Sequence, residues 1–184
     1  EQIMLDAIIG QDPLDAETWD INGGWTTREQ LNDMEFEAYE ELVRWMAGLP
    51  LYAVAETDER PYLLVHAGIE MEAARAFLLE HGVDCSDGAG AVDADRELLK
   101  QMLAVQSSDD LLWIRHGYWD APTGLLSAEG RGPVVVSGHT PTVSLGRYCE
   151  VGGLAGLDEE SGRGQIVRLG GEDTAGVPDR IDID

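Results

Sequence analysis

The sequence predicts a layered α/β (α+β) domain, and three observations carry that prediction. Two β-rich runs, 51–55 and 62–65, flank the polar turn Asp58-Glu59-Arg60, as the arms of a hairpin do. Segments with apolar residues three and four apart alternate with such runs, the pattern of helices packed on a sheet. Two apolar runs also stop at a histidine beside a breaker residue. Tyr62-Leu63-Leu64-Val65 leads to His66 and then Ala67-Gly68. Val134-Val135-Val136 leads through Ser137-Gly138 to His139 and Thr140-Pro141.

Taken in order, the elements follow from local signals. Residues 2–9 are mostly apolar and predict a short helix. Residues 11–24, rich in Asp, Gly, Pro and Asn, predict a loop. Thr26-Thr27-Arg28-Glu29 has the form of a capping box and predicts a helix start. Leu31, Met34, Ala38, Leu42, Trp45 and Leu49 give that helix one apolar face, and Gly48 with Pro50 ends it. After the hairpin, helices are expected over 71–81 and 93–105, with a flexible link over 82–90 between them. Further strands are expected at 134–136, 166–169 and 181–183. The stretches 152–164 and 170–179 read as Gly- and acid-rich loops.

Composition narrows the partners. The 184 residues suffice for one domain with a real core, 1–184. Twelve basic against 36 acidic residues give a formal charge of -24. That argues against nucleic acid or an anionic membrane surface as partner, because both need basic patches. The acid is spread along the chain and reads as a solvated surface. No apolar run approaches the roughly 18 residues that span a bilayer. Cys85 and Cys149 form neither a disulfide framework nor a zinc spacing, so reduced thiols and a cytoplasmic location are expected.

Three segments are candidates for chemistry. His66 and His139 end rigid strands beside open turns, where imidazoles are well placed to share a divalent ion. The alternative is two unrelated histidines, each hydrogen-bonded at its own strand end. In Asp109-Asp110-Leu111-Leu112-Trp113-Ile114-Arg115 the Leu-Leu-Trp block should be buried and fix the exit of Arg115. A guanidinium held that way suits bidentate phosphate binding, and the alternative is a surface ion pair. Asn22-Gly23-Gly24 either rims a pocket or is simply a turn.

The order of the segments adds to these readings. Glu1-Gln2-Ile3-Met4-Leu5 comes first, followed by Trp19-x-x-Asn22-Gly23-Gly24-x-x-Thr27 and Leu63-Leu64-Val65-His66-Ala67-Gly68-Ile69. Then come Leu111-Leu112-Trp113-Ile114-Arg115, Val136-Ser137-Gly138-His139-Thr140-Pro141-Thr142 and Ile181-Asp182-Ile183-Asp184. Together they resemble the bacterial branch of the calcineurin-like metallophosphoesterases, the serine/threonine phosphoprotein phosphatase family. The resemblance covers almost the whole chain, and the Val-His-Ala-Gly and Gly-His-Thr-Pro segments are its most specific parts.

The resemblance implies a calcineurin-like β-sandwich flanked by helices, of which this chain carries part. It implies that His66 and His139 are ligands of the second of two metal ions, usually manganese, iron or zinc, and that Arg115 contacts the substrate phosphate. In the family a hydroxide bridging the ions attacks phosphorus in line. The implied substrate is a phosphoprotein or a small phosphate ester. Symmetrical cleavage of dinucleoside polyphosphates on the same core is an alternative, and so is a non-catalytic module with half a metal site.

Three earlier family motifs, Gly-Asp-x-His-Gly, Gly-Asp-x-x-Asp-Arg-Gly and Gly-Asn-His-Glu, are absent from the 184 residues. Glu1 stands where the last of them ends, and the family continues beyond Asp184. The implied picture is an internal fragment of a longer phosphatase, holding metal weakly and inactive by itself. An uncovered sheet edge on such a fragment would invite self-association.

Overall fold

The computed structural model describes residues 2–10, 12–149 and 166–184. They form two compact units, one ending at Pro50 and one beginning at Leu51.

The first unit is helical: α1 (Gln2–Ile9), α2 (Pro13–Ile21), α3 (Gly24–Asn32) and α4 (Phe36–Ala47). The expected helix at 2–9 is present. The loop expected over 11–24 is instead largely α2. Its start is set by Asp12, whose carboxylate accepts the Leu14 N–H at 2.9 Å, with Pro13 in the first turn. Proline is suited there because its missing N–H would be unpaired anyway. The single helix expected from Thr26 to Gly48 is two, parted at Asp33-Met34-Glu35. The capping box does not form, because α3 already begins at Gly24 and the Thr26 hydroxyl donates to the Gly23 carbonyl. Gly24 has a packing reason: a Cβ there would lie 2.2 Å from the Trp19 ring. Trp19, Met4 and Leu31 are the buried apolar residues of this unit.

The second unit is a mixed α/β layer. β1 (Tyr52–Glu56) and β2 (Pro61–Val65) form the expected hairpin. The expected helices follow as α5 (Met71–Glu80) and α6 (Arg96–Ala104), then α7 (Ser108–Trp113). Each begins at a side-chain cap, Glu70, Asp95 and Ser107 respectively, which satisfies first-turn N–H groups. β3 (Val134–Ser137), β4 (Val167–Leu169) and β5 (Arg180–Asp182) complete one five-stranded sheet in the order β1-β2-β3-β5-β4. The β2/β3 and β3/β5 pairs are parallel, and the two outer pairs are antiparallel. The loop expected over 152–164 lies outside the described residues.

One face of the sheet builds the core. Val54, Leu63 and Val135 lie in register across β1, β2 and β3 and are buried with Leu78, Leu99, Met102, Leu103 and Leu111 of α5, α6 and α7. On the next register row Ala53 and Leu64 are exposed, and Val136 and Ile181 are half-buried. Because side chains alternate along a strand, this second row is the other face. Among the described residues no helix is long and apolar enough to cross a membrane.

Candidate functional site

The three parallel strands end at one edge of the sheet, and the candidate residues follow those ends. His66 is the first residue after β2. His139 is the second after β3, and Asp184 the second after β5. In parallel sheets this carboxyl edge is the usual place for a ligand, because the connecting loops open there. Two backbone bonds join the ends. Gly138 N–H donates to the His66 carbonyl at 2.9 Å, and Ile183 N–H donates to the Ser137 carbonyl at 2.9 Å.

The structure brings His66 and His139 together. His66 Nε2 and His139 Nδ1 are 3.2 Å apart, and the ring centroids are 4.9 Å apart. One neutral tautomer donating to the other satisfies that contact. His139 Nε2 is buried with no hydrogen-bond partner. Burial, followed by the positive charge of Arg115 and the neighbouring His66, pushes the His139 pKa down to about 4, against an opposing effect of Asp184. His139 is therefore neutral at pH 7, the state in which imidazole donates to a metal. Its backbone is also unusual, with φ of 65°, a left-handed conformation uncommon for a residue with a Cβ.

Arg115 reaches the same neighbourhood by way of α7. The Ala67 N–H donates to the Leu111 carbonyl at 2.8 Å, tying the turn after His66 to that helix. Leu111 is buried as expected, whereas Trp113 is 41% exposed, because its ring packs edge-on against His139 at 5.3 Å instead of entering the core. Arg115 is half-buried and forms no ion pair among the described residues. Its charge reaches His139.

Other candidates fall elsewhere. Asn22-Gly23-Gly24 is the turn between α2 and α3, with Asn22 Nδ2 donating to the Thr18 carbonyl at 2.7 Å. His81 stacks on Phe77, and His116 meets Tyr148 edge-on. Cys85 and Cys149 are free thiols. Their pKa values are raised, chiefly by burial.

The sequence reading missed two groups. Asp182 is fully buried with Oδ2 unpartnered, and its pKa is pushed up to about 7, mostly by burial. Arg180 is buried against Asp179 at 3.2 Å. A charged residue at each end of a three-residue strand was the available signal for both. Among the described residues, no three His, Cys, Asp or Glu side chains are gathered as a metal cluster. No protein-family model, curated protein or solved structure matches this chain significantly.

Proposed function

We propose that this chain carries part of the active site of a metal-dependent phosphoric ester hydrolase, of the serine/threonine phosphoprotein phosphatase type. The observation that carries the reading is the His66–His139 pair at the carboxyl edge of the sheet. Two nitrogens each about 2.0–2.1 Å from one ion lie about 2.9–3.4 Å apart, from octahedral to tetrahedral angles. Their separation of 3.2 Å falls in that range. Neutrality of His139 leaves its Nδ1 able to donate in that set.

His66 and His139 would hold one divalent ion, manganese, iron or zinc. Such an ion, paired with a second in the complete site, acidifies water and neutralises phosphoryl oxygens. Arg115, unpaired by any described carboxylate, supplies a fork for the phosphate and stabilises charge on its oxygens during displacement. The strongly acidic chain favours phosphopeptides with basic flanks over polyanionic nucleotides. In this reading the sheet is one layer of the family's sandwich. The half-covered apolar row Leu64, Val136 and Ile181 suits a second layer.

The test is manganese binding together with hydrolysis of a phosphate monoester by the intact protein. His66→Ala and His139→Ala should each lower manganese affinity at least about tenfold and remove the metal-dependent turnover. Unchanged manganese binding in both variants would sink the reading. Comparing a phosphopeptide with a dinucleoside polyphosphate separates the two substrate classes.

A further inference from the structure

Tyr118 and Trp119 are buried side by side, with ring centroids 4.6 Å apart. Each directs its polar atom at the segment that delivers His139. The Tyr118 hydroxyl is 3.0 Å from Ser137 Oγ. The Trp119 indole N–H donates to Thr140 Oγ1 at 3.1 Å. Ser137 and Thr140 are both fully buried, so water cannot replace either partner. The two bonds therefore bracket Gly138 and His139, the latter in its left-handed conformation. Such a backbone persists only where the surroundings fix it.

The pair is itself held from behind. Arg180 Nη1 donates to the carbonyls of Tyr118 at 2.6 Å and Trp119 at 2.8 Å, while Nε faces Asp179. Gly68, two residues after His66, leaves the space for Tyr118: a Cβ there would lie 2.6 Å from the ring.

We propose that Tyr118, Trp119 and Arg180 form a clamp that fixes the 137–140 turn and so seats His139 beside His66. These are positioning residues of the candidate metal site, acting through Ser137 and Thr140. Their consequence for metal rests on the reading above, but the seating of the two rings does not. A chain that loses the clamp keeps both histidines and loses their mutual geometry, which a weak two-nitrogen donor set needs most.

The experiment reads the nuclear Overhauser contact between the His66 and His139 rings in metal-free protein. The variants are Trp119→Phe, Thr140→Val and Thr140→Ser. The contact should be present in the unaltered protein and in Thr140→Ser, which keeps the accepting hydroxyl. It should be lost or much weakened in Trp119→Phe and Thr140→Val. Combining Trp119→Phe with Thr140→Val should weaken the contact no further than either change alone, because both remove the same bond. Manganese affinity should fall about 10–100-fold in those two variants and be kept in Thr140→Ser. An unchanged ring contact, even with a lowered melting temperature, would assign these residues to packing alone and overturn the clamp. Loss of the contact in a protein that takes up no manganese leaves the clamp standing and removes the metal reading instead. If Trp119→Phe does not fold, Thr140→Val decides.

Discussion

Among the described residues of the helical unit three apolar side chains form the buried core, Met4, Trp19 and Leu31, whereas the sheet unit gathers twenty into one cluster. Ile21, Trp25, Phe36 and Trp45 of the helical unit are all more than half exposed. α4 is instructive here: its apolar residues recur at helical spacing, yet none of them is fully buried. Periodicity makes a helix amphipathic, but burial depends on what that face meets. In the sheet unit α5, α6 and α7 cover one face of the strands, so the core row is enclosed between sheet and helices. It is also the unit that carries the histidines and Arg115, and a site needing fixed geometry belongs on the more rigid scaffold.

The largest test of this contrast removes a buried charge from the sheet unit. Arg180→Ala leaves Asp179 buried beside an empty space and two carbonyls without their donor. Such changes cost about 3–5 kcal/mol. Urea unfolding followed by circular dichroism reads the loss, and a shift below about 1 kcal/mol would mean that the pair is hydrated.

A smaller effect separates the two units directly. Leu63 is fully buried at the centre of the core row, and Leu63→Ala should cost about 2–5 kcal/mol through lost contacts and a cavity. Ile21 is 78% exposed, and Ile21→Ala should stay within about 0.5 kcal/mol. Equal losses would show that the helical unit has a core of its own around Ile21, and the contrast drawn above would fail.

Legibility in the sequence followed the same division. The hairpin, α5, α6 and the β3 and β5 strands were readable because β-rich runs and helical spacing coincide there with burial. In the helical unit the signals conflict. Asp12-Pro13 belongs both to turns and to helix starts, so the sequence of α2 reads equally as a loop. α3 begins at Gly24, two residues before the Thr26 of the apparent capping box, which therefore points to the wrong start. The histidine pair was legible because a strand that stops at a histidine beside glycine is a local pattern. The supports of His139 were not. Tyr118, Trp119 and Arg180 reach it only through contacts between residues 19 to 62 positions apart, which no local pattern records.

The subtlest test concerns two titrating groups at the carboxyl edge. The folded pKa of Asp182 is raised to about 7 by burial, against the opposing hydrogen bonds of the Asp184 and Ile183 backbone N–H groups and with a smaller push from the Asp184 charge, compared with 3.8 in the unfolded chain. Between those values the folded state keeps a proton that the unfolded state has lost, so this group makes stability fall as pH rises. His139 does the reverse. Its folded pKa is about 4 against 6.5 unfolded, so between them the unfolded state binds the extra proton and stability rises with pH. The windows overlap and the slopes oppose, which hides both in the unaltered protein. Asp182→Asn keeps the shape and removes the falling contribution. Its stability relative to the unaltered protein should therefore grow steadily from pH 4 to 7 and level off above. His139→Ala should lose relative stability over the lower part of the same range, between pH 4 and 6.5. Urea midpoints at several pH values measure both differences, and differences are the proper quantity because other carboxylates of this acidic chain contribute equally to each protein. A pH-independent difference for Asp182→Asn would mean that its carboxyl is hydrated in the folded state. The edge of the sheet would then be open to water at β5, and the contrast in burial between the sheet unit and the helical one would weaken where the site lies.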